Sequence, residues 1–157
     1  MKLSEIVSEN LILPSLHGTD TPSVLREFAQ AVAAAGKCLD SKALYDKLLE
    51  RENQESTGIG NGVAIPHCKL DNLQDLVLSI GYSEHGVQFK AIDGNPTYFF
   101  FVVLSPSNSA VQHLRTLAAL SRLLKSQTFL TRLWQRPPAS ELISVIRQEE
   151  DSAAIVS

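Results

Sequence analysis

The sequence predicts an α/β domain in which helices cover a central β-sheet. Apolar residues recur at helical spacing near both ends of the chain, and apolar runs of strand length lie in the middle. One of these runs, residues 97–104, is apolar on both faces, as expected for a central strand covered by helices. Helices at both ends with strands between them therefore indicate a sheet flanked by helices.

The amino-terminal part begins with a short predicted helix over about residues 3–9, followed by a polar loop that contains His17. A clearer helix comes next. Thr21 is its expected cap, Pro22 lies in its first turn, and Gly36 ends it. These features follow the usual chemistry of helix ends.

Asp40 is the expected cap of the next helix, which extends to about Glu52. The apolar period then changes from helical to extended. Residues 63–65 predict a short strand, and residues 76–82 and 97–104 predict longer ones.

The carboxyl-terminal part is predicted to be helical again. Ser109 caps a helix that runs to about Lys125, a second helix covers roughly residues 128–135, and a last helix opens at Ser140. We expect the tail from Asp151 to be frayed, as chain ends often are.

The length and composition indicate one globular domain over residues 1–157. A chain of 157 residues can bury a substantial core, and 44% apolar with 20% charged residues is ordinary for a globular protein. The net charge of −3 without a basic cluster argues against nucleic acid as a partner. A protein or a small ligand fits better.

Membrane insertion and a bound metal or cofactor are not expected. The longest apolar run, residues 98–104, is far too short to span a membrane, and the first residues lack the apolar core of a signal peptide. We therefore expect a cytoplasmic protein. Cys38 and Cys68 form no CxxC motif, so neither a disulfide framework nor a four-ligand zinc site is indicated.

The stretch STGIGNGVAIPHCK at residues 56–69 predicts a binding loop that ends on a histidine. Its glycines allow positive φ angles, so that successive N–H groups converge on an anion such as phosphate, and its polar side chains add further partners. The candidate phosphate-binding residues are Ser56, Thr57, Gly58, Gly60, Asn61 and Gly62. A simple turn between a helix and a strand is the alternative. The order of elements fits neither a Walker loop nor a dinucleotide fingerprint.

Two histidines complete the candidate site. Pro66 stiffens the backbone that leads into His67, and His113 lies 46 residues later, near the start of a predicted helix, where a protonated imidazole is disfavoured. Taken singly, each histidine could be an ordinary surface or boundary residue. Together with the glycine loop they indicate a site where one imidazole accepts a phosphoryl group and the other groups stabilise its charge.

The motif TGIGNGVAIPH, with AIDGNP, a buried strand and His113 after it, closely resembles a family of phosphotransferase proteins. These are the enzyme IIA proteins of the phosphoenolpyruvate-dependent sugar phosphotransferase system, of the fructose/mannitol and nitrogen-regulatory class. The resemblance covers roughly residues 3–149, which it implies to be the core of the domain. It also implies a mixed sheet of about five strands with helices on both faces. It also implies that His67 is phosphorylated through Nε2 by the phosphohistidine of an HPr-type carrier, and that His113 contacts the phosphoryl group.

Three neighbouring residues leave alternatives open. Arg51 matches a position where nitrogen-type members carry an arginine near the active histidine, but it could equally be an exposed cation at a helix end. Lys69 could be a solvated charge that merely steers an acidic or phosphorylated partner. Cys68 departs from the family, since nitrogen-type relatives usually have glycine there, and a larger side chain could restrict the approach of the donor. His17 and His85 are assigned no chemistry. Trp134 could mark a contact surface, but we expect it in a helix core.

Several functions remain open at this point. A regulatory nitrogen-type protein would act on target proteins according to its phosphorylation state, whereas a sugar-specific protein would pass the phosphoryl group to a cysteine of a IIB domain. The absence of a IIB or permease segment from this sequence favours the regulatory role. A binding module that has lost phosphotransfer, and a zinc hydrolase that uses both histidines, are the alternatives from other classes.

Overall fold

The computed structural model describes residues 2–156, which form six helices and six strands. In chain order these are α1 (Leu3–Ile6), β1 (Val7–Leu16), α2 (Thr21–Ala34), α3 (Ser41–Gln54), β2 (Gly58–Gly60), β3 (Val63–Ala64), β4 (His67–Leu70), β5 (Val77–Val87), β6 (Thr97–Pro106), α4 (Ala110–Leu124), α5 (Gln127–Trp134) and α6 (Ala139–Val156).

The strands form one mixed sheet with the order β1-β5-β6-β3-β2, and β4 also pairs with β6. Strand β6 is antiparallel to β5 and parallel to both β3 and β4. Strands β3 and β4 therefore follow one another along the same edge of β6, with Ile65 and Pro66 between them. The predicted mixed sheet is confirmed, and it has six strands.

Strand β6 supplies apolar side chains to both faces of the sheet. Because side chains alternate along a strand, Phe99, Phe101 and Val103 pack on one face and Phe100, Val102 and Leu104 on the other. The first face is covered by α1, α4, α5 and α6, and the second by α2 and α3. Helices thus flank the sheet on both faces, as predicted.

The prediction of a helix over about residues 3–9 followed by a polar loop was wrong. Helix α1 ends at Ile6, and the segment expected to be a loop is the ten-residue strand β1, parallel to β5. Leu11 and Ile12 are consecutive and both buried, which breaks the alternation that would have revealed a strand. The pairing has register shifts on both sides of this dipeptide, so the regular period is lost.

The helix caps agree with the sequence in part. Asp40 caps α3 as predicted, with its carboxylate accepting from the N–H groups of Lys42 and Ala43. Asp20, not Thr21, caps α2, because its carboxylate accepts from the Ser23 N–H in a capping box. Ser109 precedes α4 as predicted but makes no side-chain cap.

The predicted glycine loop contains a hairpin. Strands β2 and β3 pair antiparallel around a turn in which Gly60, Asn61 and Gly62 all have positive φ. Asn61 tolerates the left-handed conformation better than most residues with a side chain. The predicted strand at residues 63–65 is accordingly one half of this hairpin.

The expected fraying from Asp151 was also wrong, because α6 continues to Val156. The Glu150 carboxylate accepts hydrogen bonds from the Leu3 N–H at 2.6 Å, the Ser4 N–H at 3.2 Å and the Ser4 hydroxyl at 2.8 Å. Asp151 forms an ion pair with Lys2. Glu150 therefore caps α1 from a distant part of the chain and ties α6 to the amino terminus.

Among residues 2–156, no helix combines the length and the apolar character that crossing a membrane requires.

We expect Glu150→Ala to lower the free energy of unfolding by about 1–3 kcal/mol, because two backbone donors and a hydroxyl lose their acceptor. Urea unfolding followed by circular dichroism measures the change. Asp151→Ala is the matched control on the same helix, since it removes only an exposed ion pair. Equal effects of the two substitutions would show that the Glu150 cap adds no stability.

Candidate functional site

His67 is the first residue of β4, and main-chain hydrogen bonds hold the two residues that precede it. The Ile65 N–H donates to the Thr57 carbonyl at 3.1 Å, and the Val103 N–H donates to the Pro66 carbonyl at 3.0 Å. His67 itself lies opposite Val103 in the central strand β6. The imidazole is therefore presented from a backbone that has little freedom to move.

The orientation of the His67 ring defines its free nitrogen. Nδ1 lies 2.7 Å from the Ile65 carbonyl oxygen, which can only accept, so Nδ1 carries the proton. In the neutral ring, Nε2 then keeps its lone pair. Burial lowers the pKa of His67; the Ile65 carbonyl raises it and the Arg51 charge lowers it. The neutral, nucleophilic form is favoured overall.

His113 lies beside His67, with the ring centroids 5.5 Å apart and the rings tilted by 55°. It belongs to the first turn of α4 and is only 5% exposed. Its Nδ1 is 2.6 Å from the hydroxyl of Ser105 in β6. Burial lowers the pKa of His113 to about 4, with smaller contributions from His67 and Lys69, so its ring is neutral at physiological pH.

Both histidines line an open pocket of about 370 Å³ between α3, β4 and α4. Lys47, Arg51 and Lys69 line the same pocket, together with the carboxylate of Glu50. Arg51 donates from Nη1 to the Glu55 carbonyl at 2.8 Å, which closes the end of α3. The guanidinium thus binds the helix end, and Arg51 also lies in the lining of the pocket; its contact with phosphate stays a prediction.

The predicted phosphate-binding loop does not line this pocket. The Ser56 hydroxyl donates to the Phe89 carbonyl and accepts from the Gly58 N–H. The Thr57 N–H and hydroxyl both donate to the buried Glu52 carboxylate. These polar groups hold the loop in place.

The turn at Gly60, Asn61 and Gly62 lies further away. Val63, the first residue after the turn, pairs with Phe99, whereas His67 pairs with Val103. Val63 and His67 are therefore about 13 Å apart along β6, and the turn lies beyond Val63. The Asn61 N–H donates to the Asp93 carboxylate. Asn61 and Gly62 line a different, larger pocket of about 570 Å³.

Glu52 connects α3 to the loop that precedes His67. It is 7% exposed and accepts both hydrogen bonds of Thr57. Burial raises the pKa of Glu52, and the bonds from Thr57 lower it. Thr57 in turn accepts from the Ile65 N–H, so Glu52 supports the backbone that carries the His67 ring.

Cys68 lines the pocket together with the two histidines. Its side chain is mostly buried in the apolar cluster that includes Leu44 and Leu48 of α3. Burial raises the pKa of its thiol to about 12, so the free thiol is protonated near neutral pH. Within residues 2–156, no group of three or more His, Cys, Asp or Glu side chains is arranged to hold a metal ion.

The remaining aromatic candidates lie outside the site. His17 follows β1 and His85 lies in β5, and both are exposed. Trp134 was expected in a helix core but is 45% exposed, and it packs edge-on against Phe99 at 4.7 Å beside the larger pocket.

Some residues of the site were not identified from the sequence. Ser105 ends an otherwise apolar run and looks like the boundary of a strand, although it contacts His113. Glu52 follows Leu44 and Leu48 at helical spacing, a signal that could have predicted its burial. Val111 and Leu114, 62% and 66% exposed, flank His113 on α4 and could not be recognised as surface residues from their type.

This arrangement is suited to accepting an electrophile on the His67 Nε2. The neighbouring neutral ring and the cations at the rim are suited to an anionic group bound to that nitrogen.

Comparisons with known proteins identify the family of this chain. Residues 5–149 match the model of the family described as "Phosphoenolpyruvate-dependent sugar phosphotransferase system, EIIA 2". The chain is 32% identical over 154 residues to a nitrogen regulatory protein of Bradyrhizobium diazoefficiens, covering 98% of this chain and 100% of that protein. It is 30% identical over 150 residues to the fructose-specific EIIABC component of Bacillus subtilis, covering 96% of this chain but only 24% of that protein.

The fold is likewise similar to that of the nitrogen regulatory protein IIA-Ntr from Neisseria meningitidis. The TM-score is 0.85 at 24% identity, over 92% of this chain and 98% of the other. From the match over most of its length, we conclude that this chain belongs to the EIIA 2 family of the phosphoenolpyruvate-dependent sugar phosphotransferase system.

Proposed function

We propose that this protein is a phosphocarrier that accepts a phosphoryl group on His67 from the phosphohistidine of an HPr-type carrier. The observation that carries the proposal is the bond from His67 Nδ1 to the Ile65 carbonyl, because it leaves the Nε2 lone pair free beside a second neutral imidazole. An imidazole in this state is a good nucleophile near neutral pH.

In the proposed transfer, the Nε2 lone pair attacks the phosphorus atom while the donor N–P bond breaks. The electron pair of that bond returns to the donor imidazole. The His67 ring becomes positively charged when Nε2 binds phosphorus, and the Ile65 carbonyl stabilises the proton that remains on Nδ1. His113 donates a hydrogen bond to the phosphoryl group, and Arg51 and Lys69 offset its charge.

The loop residues have a supporting role in this proposal. Ser56, Thr57 and Gly58 use their donors inside the protein and fix the backbone that leads to His67. Gly60, Asn61 and Gly62 form the hairpin turn that starts β3. The polar contacts to the phosphoryl group come from the helices and from β4, not from the glycines.

Exposed apolar residues beside the pocket support a protein as the donor. Val111 and Leu114 are the neighbours of His113 on the outer side of α4, and Leu114 also lines the pocket. Apolar side chains around an open, cationic pocket suit a protein surface that carries a phosphoryl group at its centre.

We further propose a regulatory role of the nitrogen type. Support comes from the Bradyrhizobium nitrogen regulatory protein, which this chain matches over the whole length of that protein. The phosphoryl group carries about two negative charges, one of which is offset by the positive His67 ring, and it lies among Lys47, Arg51 and Lys69. Target proteins would distinguish the two forms by this change of charge.

A sugar-specific role is the second candidate, because the Bacillus subtilis relative is a fructose-specific EIIABC component. In that role the phosphoryl group moves from His67 to a IIB cysteine. Incubating the phosphorylated protein with IIB domains separates the two: rapid transfer to a IIB cysteine supports the sugar-specific role, and retention of the phosphoryl group supports regulation.

His67→Ala should abolish labelling when the protein is incubated with phosphoenolpyruvate, enzyme I and an HPr-type carrier. Wild type and the matched control His85→Ala, which changes an exposed histidine outside the pocket, should both acquire acid-labile, base-stable phosphate. If a carrier that labels another IIA protein leaves wild type unlabelled, the phosphocarrier proposal is wrong and a binding module takes its place.

The His67 ring should remain neutral below the ordinary histidine pKa of about 6.5, because burial lowers its pKa. A histidine with a lowered pKa stays unprotonated down to a lower pH. The His67 Nε2 should therefore remain able to accept a phosphoryl group as the pH falls towards the lowered pKa of His67. His113 should titrate at about 4. A ¹⁵N NMR titration of the unphosphorylated protein measures both, with His67→Gln and His113→Gln to assign the signals. A midpoint for His67 above 6.5 contradicts the burial argument.

Leu114→Ser should raise the KM for the phosphorylated carrier by roughly 3- to 10-fold, because the interface loses an apolar contact next to the pocket. The effect on kcat should be smaller, since the reacting nitrogen is unchanged. Ile92→Ser is the matched control, because Ile92 is 86% exposed and does not line the His67 pocket. A similar KM for both variants would argue against docking over α4.

A further inference from the structure

We propose that Ser105 is a positioning residue that holds His113 in the tautomer with its proton on Nε2. The inference rests on the proposed function, because the group that this proton would contact is the phosphoryl group on His67. It identifies a residue outside the pocket lining as a determinant of how the second histidine acts.

Ser105 is placed to do this by the central strand. It is fully buried, pairs with Lys69 of β4, and lies two residues after Val103, whose side chain packs on the face covered by α4. Side chains two apart in a strand share a face, so the hydroxyl points towards α4. There it meets His113 Nδ1 at 2.6 Å, a short hydrogen bond.

The direction of this hydrogen bond follows from the number of protons that the His113 ring and the Ser105 hydroxyl carry. The pKa of His113 is about 4, so the ring carries one proton near neutral pH. Among residues 2–156, His113 Nδ1 is the one hydrogen-bond partner that the structure gives the Ser105 hydroxyl. If Nδ1–H donated to the hydroxyl, the buried hydroxyl proton would have no acceptor, which is costly. If the hydroxyl donates to Nδ1, both groups are satisfied.

The consequence lies on the opposite edge of the ring. With Nδ1 accepting from Ser105, the single ring proton is on Nε2, and His113 is a hydrogen-bond donor. The other tautomer would turn a lone pair towards a dianionic group and would repel it. A neutral donor requires a fixed tautomer, and the Ser105 hydroxyl supplies the group that fixes it.

The positively charged groups near His113 do not replace this contact. Burial lowers the pKa of the His113 ring most, and the charge of Lys69, together with that of His67 when its ring is protonated, lowers it further. They therefore keep the ring neutral without choosing between its two nitrogens. The choice of tautomer falls to the hydroxyl that touches Nδ1.

The test is ¹⁵N NMR of histidine-labelled, unphosphorylated protein at neutral pH, which reports the tautomer of each ring without phosphotransfer. In wild type we expect His113 to show a protonated Nε2 and an unprotonated Nδ1. A wild-type His113 protonated on Nδ1 overturns the proposal, and this result needs no variant. In Ser105→Ala we expect a mixture of both tautomers, and in Ser105→Thr, which keeps the hydroxyl, the wild-type state.

Ser79→Ala is the matched control. Ser79 is also a fully buried strand serine, and its hydroxyl donates at 2.6 Å to the Leu11 carbonyl instead of to a histidine. It should reproduce any loss of stability caused by removing a buried hydroxyl, but leave the His113 tautomer unchanged. An equal change of tautomer in both variants would show that the effect is general loosening.

The kinetic consequence is measured as the rate of labelling by the phosphorylated carrier. We expect Ser105→Ala to be slower by about 10-fold and Ser79→Ala to remain close to wild type, since one hydrogen bond in the transition state is weakened. An unchanged rate in Ser105→Ala, with a changed tautomer, overturns the positioning role. If wild type is not labelled at all, the proposed function fails, whereas the NMR result still decides the tautomer.

Discussion

The pairing of β4 with β6 is the constraint on which the candidate site depends. His67 begins β4 opposite Val103, and the Val103 N–H binds the Pro66 carbonyl just before it. The same strand ends at Pro106 and leads within a few residues into α4, which carries His113. Because β6 is paired along both edges and covered on both faces, its carboxyl end is among the least mobile parts of the sheet. Both imidazoles are therefore positioned by one rigid element.

The site divides neutral and charged groups between two layers. The inner layer consists of two imidazoles whose pKa values are lowered by burial. The outer layer consists of Lys47, Arg51 and Lys69, which line the same pocket together with Glu50. Histidine is the side chain whose charge changes near neutral pH, whereas arginine keeps its charge throughout. Burial thus keeps the His67 lone pair available, and the positive charge of the pocket comes from groups that do not compete with His67 for protons.

The fold class was predicted correctly, and the sequence named as candidates the two histidines that the structure places side by side, because both predictions depend on strong local signals. The apolar run of β6 predicts a central strand, and Pro66 predicts a stiff backbone that leads into His67. Strand β1 was missed because adjacent buried residues and register shifts remove its alternation. The continuation of α6 beyond Asp151 was also missed, and Glu150, which lies just before it, contacts Leu3 and Ser4 nearly the whole chain away. Contacts of this kind leave no periodic trace in the sequence.

The glycine loop shows why a motif can mark a site without forming its surface. Spacing alone suggested N–H groups that converge on phosphate, but the Thr57, Gly58 and Asn61 N–H groups all donate to side chains. A Cβ on Gly58 would lie 2.8 Å from the Ala91 Cα, so this glycine is needed for close packing against the segment that contains Ala91.

Successive hydrogen bonds link Glu52, Thr57 and Ile65, so the backbone around Ile65 is rigid. The carbonyl of Ile65 orients the His67 ring. A loop that bound phosphate through free amides would have to remain open to solvent, and it could not hold this carbonyl as firmly. The loop therefore contributes to the site by fixing the Ile65 carbonyl that orients the His67 ring, and the positive charge of the pocket comes from Lys47 and Arg51 of α3 and from Lys69 of β4.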